Sequence, residues 1–211
     1  MKFNVVTPMA RFENVKPLLN MLKEQEIVNW HVVTDDDLKF RLEFDETWVK
    51  SYICPNAGND FWARSNLSLN WFIENHMLDD EYYCFLNDDD AYEPNFFKNL
   101  EENLQISKSL GLSDDVMISA MERGDRTPEG LVPEKRHPTN RLSAHPGHMH
   151  VGGVGVEQII AKGSLMKRYR IPIDVYGDGM FIQKITSENN ALYFDNVNVW
   201  FNYYEPGRWD K

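Results

Sequence analysis

Cysteine is nearly absent from this chain. Only Cys54 and Cys84 occur among 211 residues, singly and far apart, so the sequence offers neither a disulfide framework nor a cysteine zinc site. Both read as small core residues with free thiols, as expected in a reducing compartment. A basic excess is missing as well: 22 Lys and Arg stand against 33 Asp and Glu, a net charge of -11. That balance argues against general binding to a nucleic-acid backbone or an anionic membrane surface, so a charged ligand must be met locally. No apolar run approaches a membrane span, and the opening MKFNVVTPMARF is too weakly apolar for a signal peptide. The expectation is a soluble, cytoplasmic protein. Finally, neither G-x-G-x-x-G after a strand nor G-x-x-x-x-G-K-[ST] is present, so the usual glycine-rich phosphate cradles are excluded.

What the chain does have is apolar and aromatic content, 42% and 13%, enough for one sizeable core and most simply one domain. Short apolar runs alternate with longer amphipathic ones, the pattern of βαβ units around a mostly parallel sheet. Strands are expected at 3–6, 30–34, 52–54, 82–87, 116–121, 191–194 and 197–201. Helices are expected from Phe12, with Pro17 in the first turn, over 61–77, and after Pro94. Residues 122–147 hold four prolines and read as a long surface loop. HMHVGGVGVEQIIAKGSL reads as strand, glycine turn and short helix, and VYGDGMFIQKIT as a loop feeding a helix.

Ligands of open α/β sheets bind beyond the carboxyl ends of the strands. Following the expected strands to those ends gives Thr7, Pro8 and Arg11, then Asp35, Asp36 and Asp37, then Asp88, Asp89 and Asp90, then Gly152 and Gly153. The run YYCFLNDDDAYEP sets three like charges at the end of an apolar strand, and their repulsion needs compensation. In an extended segment Asp88 and Asp90 would share a face, so one cation could touch both; hard oxygen ligands suit Mg²⁺ or Mn²⁺. The competing reading of the run is a solvated acidic turn capping a helix.

These residues resemble the GT-A glycosyltransferases, which transfer a sugar from a nucleotide-sugar donor. VVTPMARFENVKPLLNML is similar to the opening strand, loop and helix of that fold, and WHVVTDDD to its second strand. ARSNLSLNWFIEN resembles the helix before the metal strand, and YYCFLNDDDAYEPNFF carries a D-x-D motif. VGGVGVEQIIAKGSL and YGDGMFIQKI are similar to the glycine turn beside the sugar and the later acidic motif heading a helix. The chain is also similar to the N-terminal glycosyltransferase domain of a chlorella-virus protein, which would place it in the host cytoplasm.

The resemblance implies a single GT-A domain over 1–211, Rossmann-like, with a mostly parallel central sheet flanked by helices and a small late β and loop region. Residues 1–121 would bind nucleotide and metal, and 122–211 the donor sugar and acceptor. It implies Mn²⁺ or Mg²⁺ on Asp88 and Asp90, and a UDP-sugar donor near Thr7, Pro8, Arg11, Asp35, Asp36, Asp37, Arg64 and Asp89. Gly152 and Gly153 would let backbone approach the sugar. The acceptor would be a hydroxyl on a glycan or small molecule.

Sugar transfer needs a carboxylate to deprotonate the acceptor or steady a developing oxocarbenium ion, and Asp178 is the candidate, with Asp174 the alternative. The motif reads GDG, without the glutamate of the usual inverting pair. His148 and His150, in HPGHMH, are candidate donor or acceptor contacts, while His145 reads as structural. Trp200 and Phe201 read as core, and Tyr203, Tyr204, Arg208 and Trp209 as candidates for a lid. Two rivals stand beside this reading. A sugar-1-phosphate nucleotidyltransferase would want a glycine-rich basic loop where TPMARFEN stands, and a non-catalytic sugar or calcium module would use the acidic turns alone. The polar tail ends without a clear stop, as one domain of a longer polypeptide would.

Overall fold

A computed structural model describes residues 2–26, 28–36, 42–55, 61–123, 126–127, 130–131, 141–151 and 154–201. In chain order these form β1 (Phe3–Pro8), α1 (Val15–Lys23), β2 (Val28–Asp35), β3 (Val49–Cys54), α2 (Phe61–Asn75), β4 (Tyr82–Phe85), β5 (Ala91–Tyr92) and α3 (Phe96–Ser109). There follow β6 (Val116–Arg123), β7 (Arg126–Thr127), β8 (Gly130–Leu131), β9 (Arg141–Leu142), β10 (Ile159–Lys162), α4 (Gly163–Met166), α5 (Gly177–Glu188) and β11 (Ala191–Phe201).

The main sheet runs β3-β2-β1-β4-β10-β6-β11-β5, with β9 added beside β6. Strands β3, β2, β1 and β4 are all parallel, so their carboxyl ends lie along one edge. β10 then inserts antiparallel between β4 and β6, and β11 runs parallel to β6. Burial on both faces explains the near-continuous apolar runs of the central strands. In β1 and β2, neighbours separate to opposite sides. Val6 and Val33 join Leu69, Phe72, Phe85 and Phe181 on the face covered by α2 and α5, while Val5 and Val32 join Leu18, Leu22, Phe97 and Leu100 on the face covered by α1 and α3. Both cysteines are buried free thiols within this core.

Three expectations are corrected in detail. The last two strands are one, β11, whose pairing with β6 slips between Phe194 and Asn198; a bulge absorbs the polar break DNVN without ending the strand. The strand expected before the glycines lies after them as β10, because residues 156–158 make a 3-10 turn that carries the chain into the sheet. The 122–147 stretch is not loop throughout: it contributes β7 to β9. Pro17 does sit in the first turn of α1. Among the described residues no helix is long and apolar enough to cross a membrane.

One buried polar group belongs to the fold rather than to a site. His31 on β2 bonds through Nε2 to Asn4 Oδ1 (3.1 Å) and through Nδ1 to the Tyr52 hydroxyl (3.1 Å). Since the Asn4 amide nitrogen donates to Glu81 and to the Tyr82 carbonyl, its oxygen faces His31, which places the imidazole proton on Nε2. Burial, helped by Lys50 and His76, lowers the His31 pKa to about 4.

Candidate active site

The parallel arrangement brings the ends of β1, β2 and β4 to one cavity of about 270 Å³. Pro8, Met9, Ala10 and Arg11 form one wall, Asp35 and Arg64 another, and Asn87, Asp88 and Asp89 the floor next to them. Asp174, Val175 and Asp178 close it from the α5 side, with Val156 and Phe201 as apolar lining. Phe201, expected in the core, is half-buried and lines the cavity.

The aspartate run is held in a way that strand alternation does not anticipate. Asp90 N–H bonds back to the Asn87 carbonyl (3.2 Å), so residues 87–90 turn instead of extending. Asp88 and Asp89 consequently both face the cavity. Asp88 Oδ2 accepts from the backbone N–H groups of Ala10 (2.7 Å) and Arg11 (2.6 Å), while Oδ1 meets the Arg11 guanidinium, which also reaches Asp89 Oδ1 (3.3 Å). The Asn14 amide donates to the Asp88 carbonyl (2.8 Å), so the β1–α1 loop and the end of β4 are tied together. Burial pushes the Asp88 carboxyl upward in pKa, and Arg11 with the two amides pulls against it.

Asp90 is fully buried on the inner side of this turn. There it meets Glu157, which no motif singled out. Glu157 is 1% exposed; it accepts from the Asn87 amide and shares a hydrogen bond with Asp90. Burial first, then the charges of Asp178 and Asp89, push its pKa up to about 7. Gly155 makes this closeness possible, since a Cβ there would collide with Glu157 Oε2. Four carboxylates from three parts of the chain thus converge: Asp89, Asp90, Glu157 and Asp178. The only signal in the sequence was an acidic residue inside an apolar run, VGVEQII, which periodicity alone assigns to nothing.

The remaining candidates sort by position. Asp35, 7% exposed, pairs with Arg64 (3.4 Å) across the cavity, so the α2 arginine faces inward. Asp36 is exposed and outside the lining, and Asp37 lies outside the described residues. Thr7 is buried and accepts from Trp30 Nε1 (2.9 Å), its side chain turned from the cavity that its neighbour Pro8 lines. Asp178 opens α5 and accepts from Gly179 N–H (2.8 Å). Asp174 Oδ1 accepts from Tyr176 N–H (2.9 Å), closing the turn that leads into α5. His148 and His150 sit on an exposed turn outside the lining, with His148 Nδ1 at 2.7 Å from Ser143 Oγ. Gly152, Gly153, Tyr203, Tyr204, Arg208 and Trp209 lie outside the described residues.

Helix α2 positions the acidic turn of the second half. Asn70 donates to the Ile171 carbonyl (2.8 Å) and accepts from its N–H (2.9 Å); one helical turn earlier Asn66 donates to the Pro172 carbonyl (2.9 Å). Asn70→Ala is expected to orphan both Ile171 backbone groups and lower unfolding free energy by about 2 to 4 kcal/mol, measured by urea denaturation.

This layout can be compared with solved structures. The fold matches TarS of S. aureus with a TM-score of 0.57 at 15% identity, over 95% of this chain and 36% of that one. It also matches the mannosyltransferase PcManGT from Pyrobaculum calidifontis, in complex with GDP-Man and Mn²⁺, with a TM-score of 0.55 at 15% identity, over 98% of this chain and 58% of that one. The fold is of the GT-A type. A second structure, TarS 1-349, superposes with a TM-score of 0.50 at 17% identity, over 96% of this chain and 58% of that one. The chain therefore spans between 36% and 58% of the length of these neighbours. No family model matches the sequence, and no curated protein matches it.

Proposed function

We propose that the chain is a metal-dependent glycosyltransferase that moves a sugar from a UDP-sugar to an acceptor hydroxyl, on a glycan or a small molecule. The observation that carries this is one cavity at the carboxyl ends of parallel strands, where Arg11 and Arg64 face Asp35, Asp88, Asp89 and Asp178. A diphosphate and a transferring sugar need that mixture: cations for the leaving charge and a carboxylate near the reacting carbon. The mannosyltransferase neighbour in complex with GDP-Man and Mn²⁺ supports a nucleotide-sugar donor.

The residues fit a hard divalent ion. Four carboxylates crowd the turn, and Glu157 Oε2, wholly buried, has no hydrogen bond among the described residues. No three His, Cys, Asp or Glu side chains among the described residues form a cage, so an ion would draw further ligands from water and diphosphate. For Asp90 to hold it together with Asp88, whose charge Arg11 balances here, the turn at 87–90 that puts Asp88 at the cavity and Asp90 behind it would have to open. Bound there, Mn²⁺ or Mg²⁺ would neutralise the departing diphosphate.

The protein's own groups do the rest. Arg11 and Arg64 flank the position of the diphosphate, with Asp35, Pro8 and the backbone around it on the nucleoside side. Asp178, at the head of α5 and against the acidic cluster, serves as the carboxylate that takes the acceptor proton or steadies the oxocarbenium ion. Asp174 holds the turn that aims it. In this assignment residues 1–121 serve nucleotide and metal, and 122–211 the sugar and acceptor.

Calorimetric titration with UDP and with GDP, each with and without Mn²⁺, tests the reading. UDP binding that requires the ion is expected; absence of nucleotide binding under all four conditions would overturn it.

A further inference from the structure

Four large apolar side chains stand exposed within eight residues, one of which, Val175, lines the cavity: Ile173 (58%), Val175 (52%), Tyr176 (55%) and Met180 (44%). Their backbone is pinned. Asn70 holds Ile171, Asn66 holds Pro172, the Asp174 carboxylate closes the turn, and the Met180 N–H bonds to the Tyr176 carbonyl (3.0 Å). Gly177 lies so close to the Pro172 carbonyl and the Asn66 amide that a Cβ would collide with both. Exposed apolar groups on a fixed backbone forgo burial that a small rearrangement would bring, and such display marks a recognition surface. Val175 belongs at once to the patch and to the cavity lining, beside Asp174 and Asp178. Whatever lies on the patch is therefore continuous with the place where the acceptor hydroxyl is activated.

Size decides the kind of partner. A stable protein interface buries about 800 Å² on each side, far more than four side chains offer. A short alkyl chain or one aromatic ring is covered by such a patch. We infer that the acceptor of this enzyme carries an apolar body beside its nucleophilic hydroxyl, and that Ile173, Val175, Tyr176 and Met180 hold that body. The inference rests on the glycosyltransferase reading of the same cavity.

The test compares methyl, phenyl and octyl β-D-glucosides, the last below its micelle concentration, by saturation-transfer NMR and calorimetry with the wild-type chain. Phenyl or octyl glucoside is expected to bind at least about tenfold tighter than methyl, as burial of a few apolar carbons allows. Ile173→Asn with Met180→Gln, neither of which lines the cavity, should bring the three glucosides within about twofold of one another. Mn²⁺-dependent UDP binding should survive in that variant. A second apolar patch at the end of α3, Ile106, Leu110 and Leu112, supplies the control: Leu110→Asn should leave the preference intact. Equal binding of the three glucosides, or a preference lost equally in Leu110→Asn, would overturn the inference. Failure of UDP binding alone would instead sink the function proposed above, because the glucoside readout needs no donor.

Discussion

Replacing Asp90 by asparagine is expected to weaken Mn²⁺-dependent UDP binding by more than about 100-fold while leaving the unfolding midpoint unchanged or slightly raised. The two halves of that outcome have one cause. Asp90 is fully buried and shares a hydrogen bond with Glu157, in a cluster that also contains Asp89 and Asp178. Such crowding costs free energy unless protons or a cation intervene. Asparagine has the same shape, removes one charge, and can donate its amide to Glu157. The fold loses a repulsion, and the ion loses its ligand. Calorimetry of UDP with Mn²⁺, paired with thermal unfolding in EDTA, checks both halves. Unchanged metal-dependent binding in Asp90→Asn would remove Asp90 from the metal site; binding lost together with the fold would make it a structural residue only.

The second large effect concerns pH. His31 is neutral in the folded chain, with its pKa lowered from 6.5 to about 4, while an unfolded chain takes up a proton near 6.5. The folded state therefore binds fewer protons between those values, so stability present above pH 6.5 is lost as pH falls towards 4 and then levels off. The loss amounts to roughly 3 kcal/mol at its end. Glu157 works in the opposite sense. Its pKa is raised from 4.5 to about 7, so the folded state binds more protons than the unfolded one in that window, and stability grows as pH falls. The wild-type profile in EDTA is consequently flatter than either group alone would make it. His31→Gln keeps a polar side chain within reach of Asn4 and removes the titration, so urea unfolding between pH 7.5 and 4 should show the wild type losing roughly 3 kcal/mol relative to the variant. Parallel profiles for the two proteins would contradict the buried neutral imidazole.

Much of this was readable beforehand, and particular residues show why. The first four parallel strands announce themselves as apolar runs because both their faces are buried, and Leu18, Leu22, Leu69 and Phe72 mark helices that must cover them. The rule that ligands gather at strand carboxyl ends led to Pro8, Arg11, Asp35, Asp88 and Asp89, and the family resemblance to Arg64, Asp174 and Asp178; all of these line one cavity. The same rule over-reached at Thr7, whose hydroxyl answers Trp30 in the core, since a rule about strand ends does not say which face the final side chain takes. His148 and His150, two positions apart, would share a face only on an extended segment; they lie on a turn, where alternation has no meaning.

Sequence by itself determined the α/β class, the strand and helix order of the first half, and the acidic end of β4, because each is written in local hydrophobic period and in charge. Tertiary structure alone decided how that acid is used. Only folding brings Arg11 onto Asp88 from 77 positions away, and Glu157 onto Asn87 from 70. Pairings between groups so far apart along the chain leave no periodic trace, since they arise from strand order and from the turn at 87–90, both of which are settled by packing the whole sheet.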